Sequence, residues 1–186
     1  MKRLFKLATG VAIVSATLGG PAALACTGGA LTAKDGSTVV GRTLEFGTSL
    51  NSQLVVWPKG SSFTGTTPSG DNGIKFESKY GFIGATVDKN YDMIVDGLNE
   101  KGLNAGLFYF PGYADYTKAT PENTSKGISP AQFVAWVLAN FATVDEVKAN
   151  IDKIAVLPVT LDLLKEVPDV HFKIQDATGK AITIEP

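Results

Sequence analysis

One cysteine and one histidine are all that the 186-residue chain offers of the softer metal ligands, which excludes a tetrahedral zinc site built from the usual donors. A lone cysteine has no partner for an internal disulfide, so its presence needs another explanation. The chain also lacks a Walker loop, a G-x-G-x-x-G run and any internal repeat, so neither a phosphate cradle nor a solenoid is expected. Basic runs are missing too. With 17 Lys and Arg against 18 Asp and Glu, nothing marks a nucleic-acid partner or a membrane surface. The residues call for no metal and no cofactor.

Long apolar runs are scarce, and the nearest to one stands at the start. MKRLFK, the mostly apolar LATGVAIVSATLGG and the small-residue stretch PAALA form the three-part pattern of a secretory signal peptide. Glycines at 10, 19 and 20 interrupt the apolar part, which falls short of the roughly 20 residues needed to span a bilayer. Ala23 and Ala25 suit the cleaving peptidase, so residues 1–25 are expected to be removed and the mature chain, residues 26–186, to begin with Cys26 in the periplasm or outside the cell. Losing Lys2, Arg3 and Lys6 leaves fourteen basic and eighteen acidic residues, a net charge near −4. The remaining length suits one domain.

What is present reads as short strands, then helices, then a strand pair. Residues 29–43 pattern as a hairpin around Lys34-Asp35-Gly36, and 53–57 as a strand closed by Pro58. Residues 60–73, rich in Ser, Thr, Gly and Pro, read as an exposed loop. Further strands are expected at 82–87, 93–98 and 103–110, the last two joined through Asn99-Glu100-Lys101-Gly102. Ser129-Pro130-Ala131-Gln132 opens a helix whose Phe133, Val134, Val137, Leu138 and Phe141 predict one buried face, and Thr143-Val144-Asp145-Glu146 opens a second. Strands at 170–175 and 181–185 close the sequence. The class is α+β with an antiparallel sheet. The final apolar strand has nothing after it to cover its edge, which suggests a truncated product.

A cysteine at position one of a mature chain carries its own base. Its α-amine, with a reference pKa near 8, sits within reach of a thiol whose pKa is near 8.5, and the pair can open an amide by attack on its carbonyl, through a thioester that water then hydrolyses. Two other readings stay open: a small buried hydrophobe, and a lipid-anchored binding protein that uses Cys26 only as its attachment point.

The run CTGGALTAKDGSTVVGRTLEFG at 26–47 resembles the start of the choloylglycine hydrolase family, which holds bile salt hydrolases and penicillin V acylases. VDGLNEKGLNAGLFYFPGYADY at 95–116 is similar to that family's signature around the substrate pocket, and HFKIQDATGKAITIEP at 171–186 to its late strand pair. The resemblance implies the αββα sandwich of N-terminal-nucleophile hydrolases, of which this chain supplies the N-terminal part. It further implies cofactor-free cleavage of linear amides bearing an apolar acyl group, without nucleic acid or membrane insertion, and it allows a homo-oligomer for the full-length enzyme. It makes Cys26 the nucleophile and puts Arg42 beside it to stabilise thiolate or oxyanion charge. Glu45 falls where most members carry aspartate. Tyr109 falls at a pocket position held by asparagine in bile salt hydrolases and tyrosine in penicillin V acylases, its backbone amide helping the oxyanion hole. Strict alternation would put Arg42 and Glu45 on opposite faces unless the strand ends between them. The family's oxyanion asparagine and a further arginine fall beyond Pro186, which leaves an inactive remnant of the fold as another reading. Trp57, Phe63 and Phe108 are candidates for an acyl pocket, with core packing as the default. Asn99, Asn104 and His171 read as structural.

Overall fold

A computed structural model describes residues 26–186 apart from Thr48. The expected signal peptide lies outside the described residues. In chain order the strands are β1 Gly28–Thr32, β2 Thr38–Arg42, β3 Gln53–Trp57, β4 Ser62–Thr64, β5 Lys75–Glu77, β6 Phe82–Val87, β7 Asn90–Asn99 and β8 Asn104–Tyr109. Then come α1 Pro121–Thr124, β9 Gly127–Ile128, α2 Phe133–Asn140, α3 Val144–Asn150, β10 Ala155–Val156, β11 Val170–Gln175 and β12 Ala181–Ile184.

The strands on either side of the helices join one antiparallel sheet in the order β12-β11-β8-β7-β6-β3. β1 and β2 pair only with each other, around a turn in which the Asp35 carboxylate accepts from the Ser37 amide (2.9 Å) and hydroxyl (2.7 Å). Gly102, at φ +80°, takes the left-handed position of the β7–β8 turn that a Cβ would disfavour. Among the described residues no helix is long and apolar enough to cross a membrane.

The main core lies between this sheet and α2. Phe133, Val134, Val137 and Leu138 pack with Ile94, Leu103, Ala105, Phe172 and Ile174, and the Phe133 and Phe172 rings meet at 4.1 Å. Each such side chain contributes about 1.5–3 kcal/mol on burial. Helix α2 has more than the one buried face that its sequence predicts: Phe133 through Ala139 are all buried. The reason is cover from outside the main sheet: Phe63, Ile74, Phe76, Val144 and Val147 belong to or pack on the same cluster, and at the helix end Ala139 O accepts from the amides of Lys79 and Tyr80 (2.8 and 3.1 Å). The second helix is capped as expected, with Thr143 Oγ1 accepting from the Glu146 amide (3.2 Å) and Glu146 Oε2 from the Ala142 amide (2.8 Å).

The segment expected as an exposed loop, 60–73, instead contributes β4 and contains the buried Thr67. Its polar composition is used internally: Thr67 Oγ1 donates to Asn72 Oδ1 (2.6 Å), Thr66 N to Gln132 Oε1 (2.7 Å), and Gln132 Nε2 to Thr64 O (3.1 Å). Gln132, read from sequence as part of a cap, therefore also ties this segment to the start of α2.

One irregularity positions the site. Ala85 pairs with Asp96 but Thr86 with Ile94, leaving Val95 as an extra residue on β7. This bulge puts Ile94 in the α2-side core with Leu138, while Gly97, three residues on, also faces Leu138; an unbroken strand would send residues three apart to opposite faces.

Candidate active site

Arg42 is the best-defined side chain of the site. It ends β2, and the ladder that sets Gly28 opposite it continues as a bond from the Thr43 amide to Thr27 O (2.8 Å). Cys26, two residues before Gly28, is thereby brought to the same open end of the hairpin as Arg42. The Arg42 side chain, only 11% exposed, reaches over the main sheet. Its Nη1 donates to Val95 O (2.8 Å) and Leu107 O (2.6 Å), its Nε to Thr43 O (3.2 Å), and its guanidinium lies 4.2 Å above the centre of the Phe108 ring. Nη2 is buried and has no hydrogen-bond partner among the described residues. A fixed, desolvated guanidinium with an unused donor can stabilise thiolate or developing oxyanion charge.

Cys26 is a free, half-buried thiol. It opens on an apolar recess of about 30 Å³ walled by Leu44, Phe46, Leu50, Val87, Met93, Val95, Leu107, Tyr109, Leu163, Leu164, Pro168 and Val170. A polar cavity of about 460 Å³, with Asp88, Asp92 and Asp162 in its wall, shares Val87, Met93 and Leu163 with the recess. An apolar slot at the thiol beside a wider polar space suits an apolar group presented to the sulfur and a polar remainder outside.

Tyr109, at the end of β8, lines the recess and meets Phe46 edge to face at 6.1 Å. Its hydroxyl lies 3.3 Å from Glu166 Oε1. Loss of hydration, then the nearby Glu166 charge, hold its phenol above the usual tyrosine range, so it stays neutral. Glu45 is placed otherwise. β2 stops at Arg42, and Glu45 is exposed, with no hydrogen bond or ion pair among the described residues. Thus Cys26 and Tyr109 share the recess, Arg42 is anchored on the carbonyls of Val95 and Leu107, two residues that wall it, and Glu45 is exposed.

The other sequence candidates separate cleanly. Trp57 stacks on Phe82 (5.0 Å) and Phe63 on Phe76 (4.9 Å), both against the main core, and neither lines the recess. Phe108 lies under Arg42 rather than in an acyl pocket. His171 stacks on the Phe108 ring at 5.5 Å, with its Nδ1 buried and without a hydrogen-bond partner among the described residues. Burial first, and Arg42 after it, hold the imidazole below its ordinary pKa, while Glu185 works the other way. Asn104 donates to Asp96 Oδ1 (3.1 Å) and Gly97 O (2.8 Å). Asp96, whose Oδ2 lies 3.9 Å from Arg42 Nη1, is the acidic group of this site. Sequence reasoning passed over it, although it stands within the quoted 95–116 run; no local pattern distinguishes it from a turn-flanking aspartate. Among the described residues no cluster of His, Cys, Asp and Glu is placed to hold a metal ion.

The α+β architecture is that of an N-terminal-nucleophile hydrolase fold. Residues 26–186 match the linear amide C–N hydrolases of the choloylglycine hydrolase family, and the chain belongs to that family. It is 34% identical over 163 residues to the bile salt hydrolase/transferase of Clostridium perfringens, covering 86% of this chain and 47% of the relative. It is 27% identical over 191 residues to the penicillin V acylase of Pectobacterium atrosepticum, covering 99% and 50%. Crystal structures of two variants of the conjugated bile acid hydrolase of C. perfringens superpose with TM-scores of 0.71 and 0.70. One has an arginine changed to leucine (30% identity, 85% of this chain and 47% of that one), the other a cysteine changed to alanine (31%, 87% and 47%). The chain spans about half the length of the curated relatives it matches.

Proposed function

We propose that this protein hydrolyses linear amides with Cys26 as an N-terminal nucleophile, exposed by cleavage after Ala25 on export to the periplasm or beyond. The observation that carries the reading is a half-buried thiol opening on an apolar recess, two of whose walling residues, Val95 and Leu107, anchor a buried guanidinium with one unused donor. The arginine and cysteine changed in the two C. perfringens variants stand sixteen residues apart, as do Cys26 and Arg42. The family match begins at Cys26, and the alignment with the P. atrosepticum acylase takes in nearly the whole chain, which supports a processed leader. The α-amine of Cys26 takes the thiol proton, the thiolate attacks the amide carbon, and the same proton goes to the departing amine. Water then releases the acid from the thioester.

Tyr109 and Phe46 give the recess an aromatic wall, which favours a flat aryl acyl group over a bulky hydroxylated steroid. The substrate class is therefore penicillin V before conjugated bile salts. Intact-mass analysis of exported protein tests processing: the expected species begins with unmodified Cys26, and a lipidated sulfur would sink the mechanism. Cys26→Ala should abolish hydrolysis of both substrates with the melting temperature unchanged. Tyr109→Asn should move the ratio of kcat/KM toward bile salts by about 1–3 kcal/mol, as one pocket contact typically does.

A further inference from the structure

We infer that Asp96 is a positioning residue that holds the Arg42 guanidinium in the orientation Cys26 requires; this rests on Arg42 serving the thiol. Three features of the geometry converge on it. First, every hydrogen bond and ion pair that Arg42 makes with the sheet falls on Nη1: the carbonyls of Val95 and Leu107 accept from it, and Asp96 Oδ2 stands 3.9 Å away on that same nitrogen. Nη2, the donor left over, is the atom without a partner. A carboxylate beside Nη1 keeps the planar fork from turning about its axis to satisfy Nη2 elsewhere. Second, Asp96 is itself held, because Asn104 Nδ2 bridges its Oδ1 and Gly97 O. Third, the cradle depends on Gly106. A Cβ there would lie 2.8 Å from Asp96 Oδ2 and 3.6 Å from Arg42 Nη1, so this position has to lack a side chain for carboxylate and guanidinium to meet.

Burial pushes the Asp96 carboxyl above its ordinary range, and the Asn104 amide and the Arg42 charge only partly draw it back. A carboxylate kept partly out of water acts more strongly on its neighbour than a surface one, and its contact with Arg42 is of the kind that fixes geometry rather than one that adds much stability.

The test reads Cys26 directly and does not need turnover, since it is the only cysteine. Its rate of alkylation by iodoacetamide is followed against pH in wild type, Asp96→Asn, Gly106→Ala and Arg42→Leu. A charge that acted merely through space would, when removed in Asp96→Asn, lower the thiol pKa and speed alkylation near pH 7. A positioning group would do the reverse: with Arg42 misplaced, the thiolate loses its cation and alkylation slows about tenfold, the size of a one-unit pKa rise. Gly106→Ala keeps both charges but displaces the carboxylate, and should slow alkylation in the same direction. Faster or unchanged alkylation in both variants overturns the inference, as does a lowered melting temperature with the wild-type pH profile. If Arg42→Leu leaves the profile untouched, the role of Arg42 fails, and the inference falls with it for that separate reason. Where hydrolysis is measured, Asp96→Asn should lower kcat about tenfold with KM nearly constant, since the interaction proposed is made in the transition state.

Discussion

The β7–β8 hairpin carries two buried polar centres that differ in how completely they are satisfied. At its turn, Asn99 is 4% exposed and uses both ends of its amide: Nδ2 donates to Leu138 O (2.9 Å) and Phe141 O (2.7 Å), closing the carbonyl end of α2, and Oδ1 accepts from the amides of Lys101 and Leu103 (both 3.0 Å). At its other end, Arg42 and His171 flank Phe108 with Nη2 and Nδ1 unpartnered. Burial without a partner costs free energy, and folding alone gives no reason to keep it. The satisfied centre holds the helix on the sheet, and the unsatisfied one leaves free the donor that the proposed mechanism assigns to oxyanion charge.

The sharpest way to break this contrast is at the satisfied centre. Asn99→Ala strands two helix carbonyls and two turn amides, and should cost about 3 kcal/mol or more in urea unfolding, with Cys26 alkylation at a given pH unchanged. Arg42→Lys should do the opposite. It keeps the charge but loses the fork, so hydrolysis should fall about a hundredfold, close to 2.7 kcal/mol of barrier, while the melting temperature moves little.

The smallest effect concerns His171 and has a definite sign. Its folded pKa is depressed, chiefly by burial, so the unfolded chain binds the proton more readily. The stability it contributes is complete above the unfolded value near 6.5 and is lost as pH falls below it. Unfolding free energy of the wild type should therefore decline between pH 6.5 and 5 more steeply than that of His171→Phe. Equal slopes would show that the imidazole does not titrate against the fold.

Much of this was legible along the chain, because the signals are local. β3 and β6 stop where Pro58 and the Asp88-Lys89 turn stop them, and Thr143 with Glu146 marks the start of α3 by chemistry confined to four residues. The site itself was less legible. Cys26 came from its place directly after Ala-Leu-Ala, Arg42 and Tyr109 came from family resemblance, and the structure adds why Arg42 points as it does: carbonyls 53 and 65 residues away accept from it. No periodicity encodes such a contact. Asp96 was missed for the same reason, and the burial of α2 was underestimated because residues that cover it from outside the sheet, such as Ile74 and Phe76, belong to a stretch with no helical pattern. The orientation of Glu45 depended on where β2 ends, and strand ends are the least certain feature of any propensity-based reading.

The extra residue at Val95 also bears on how this sequence can drift. Deleting it would remove one of the two register shifts between β6 and β7, a change that ladder energetics alone would welcome. The same deletion would leave Ile94 and Asp96 on their present sides of the sheet but withdraw the carbonyl that receives Arg42 and a side chain that walls the recess at Cys26. Length between Asn90 and Asn99 is thus pinned by chemistry rather than by folding, so insertions and deletions should be rarer there than in neighbouring strands, even where substitutions accumulate freely.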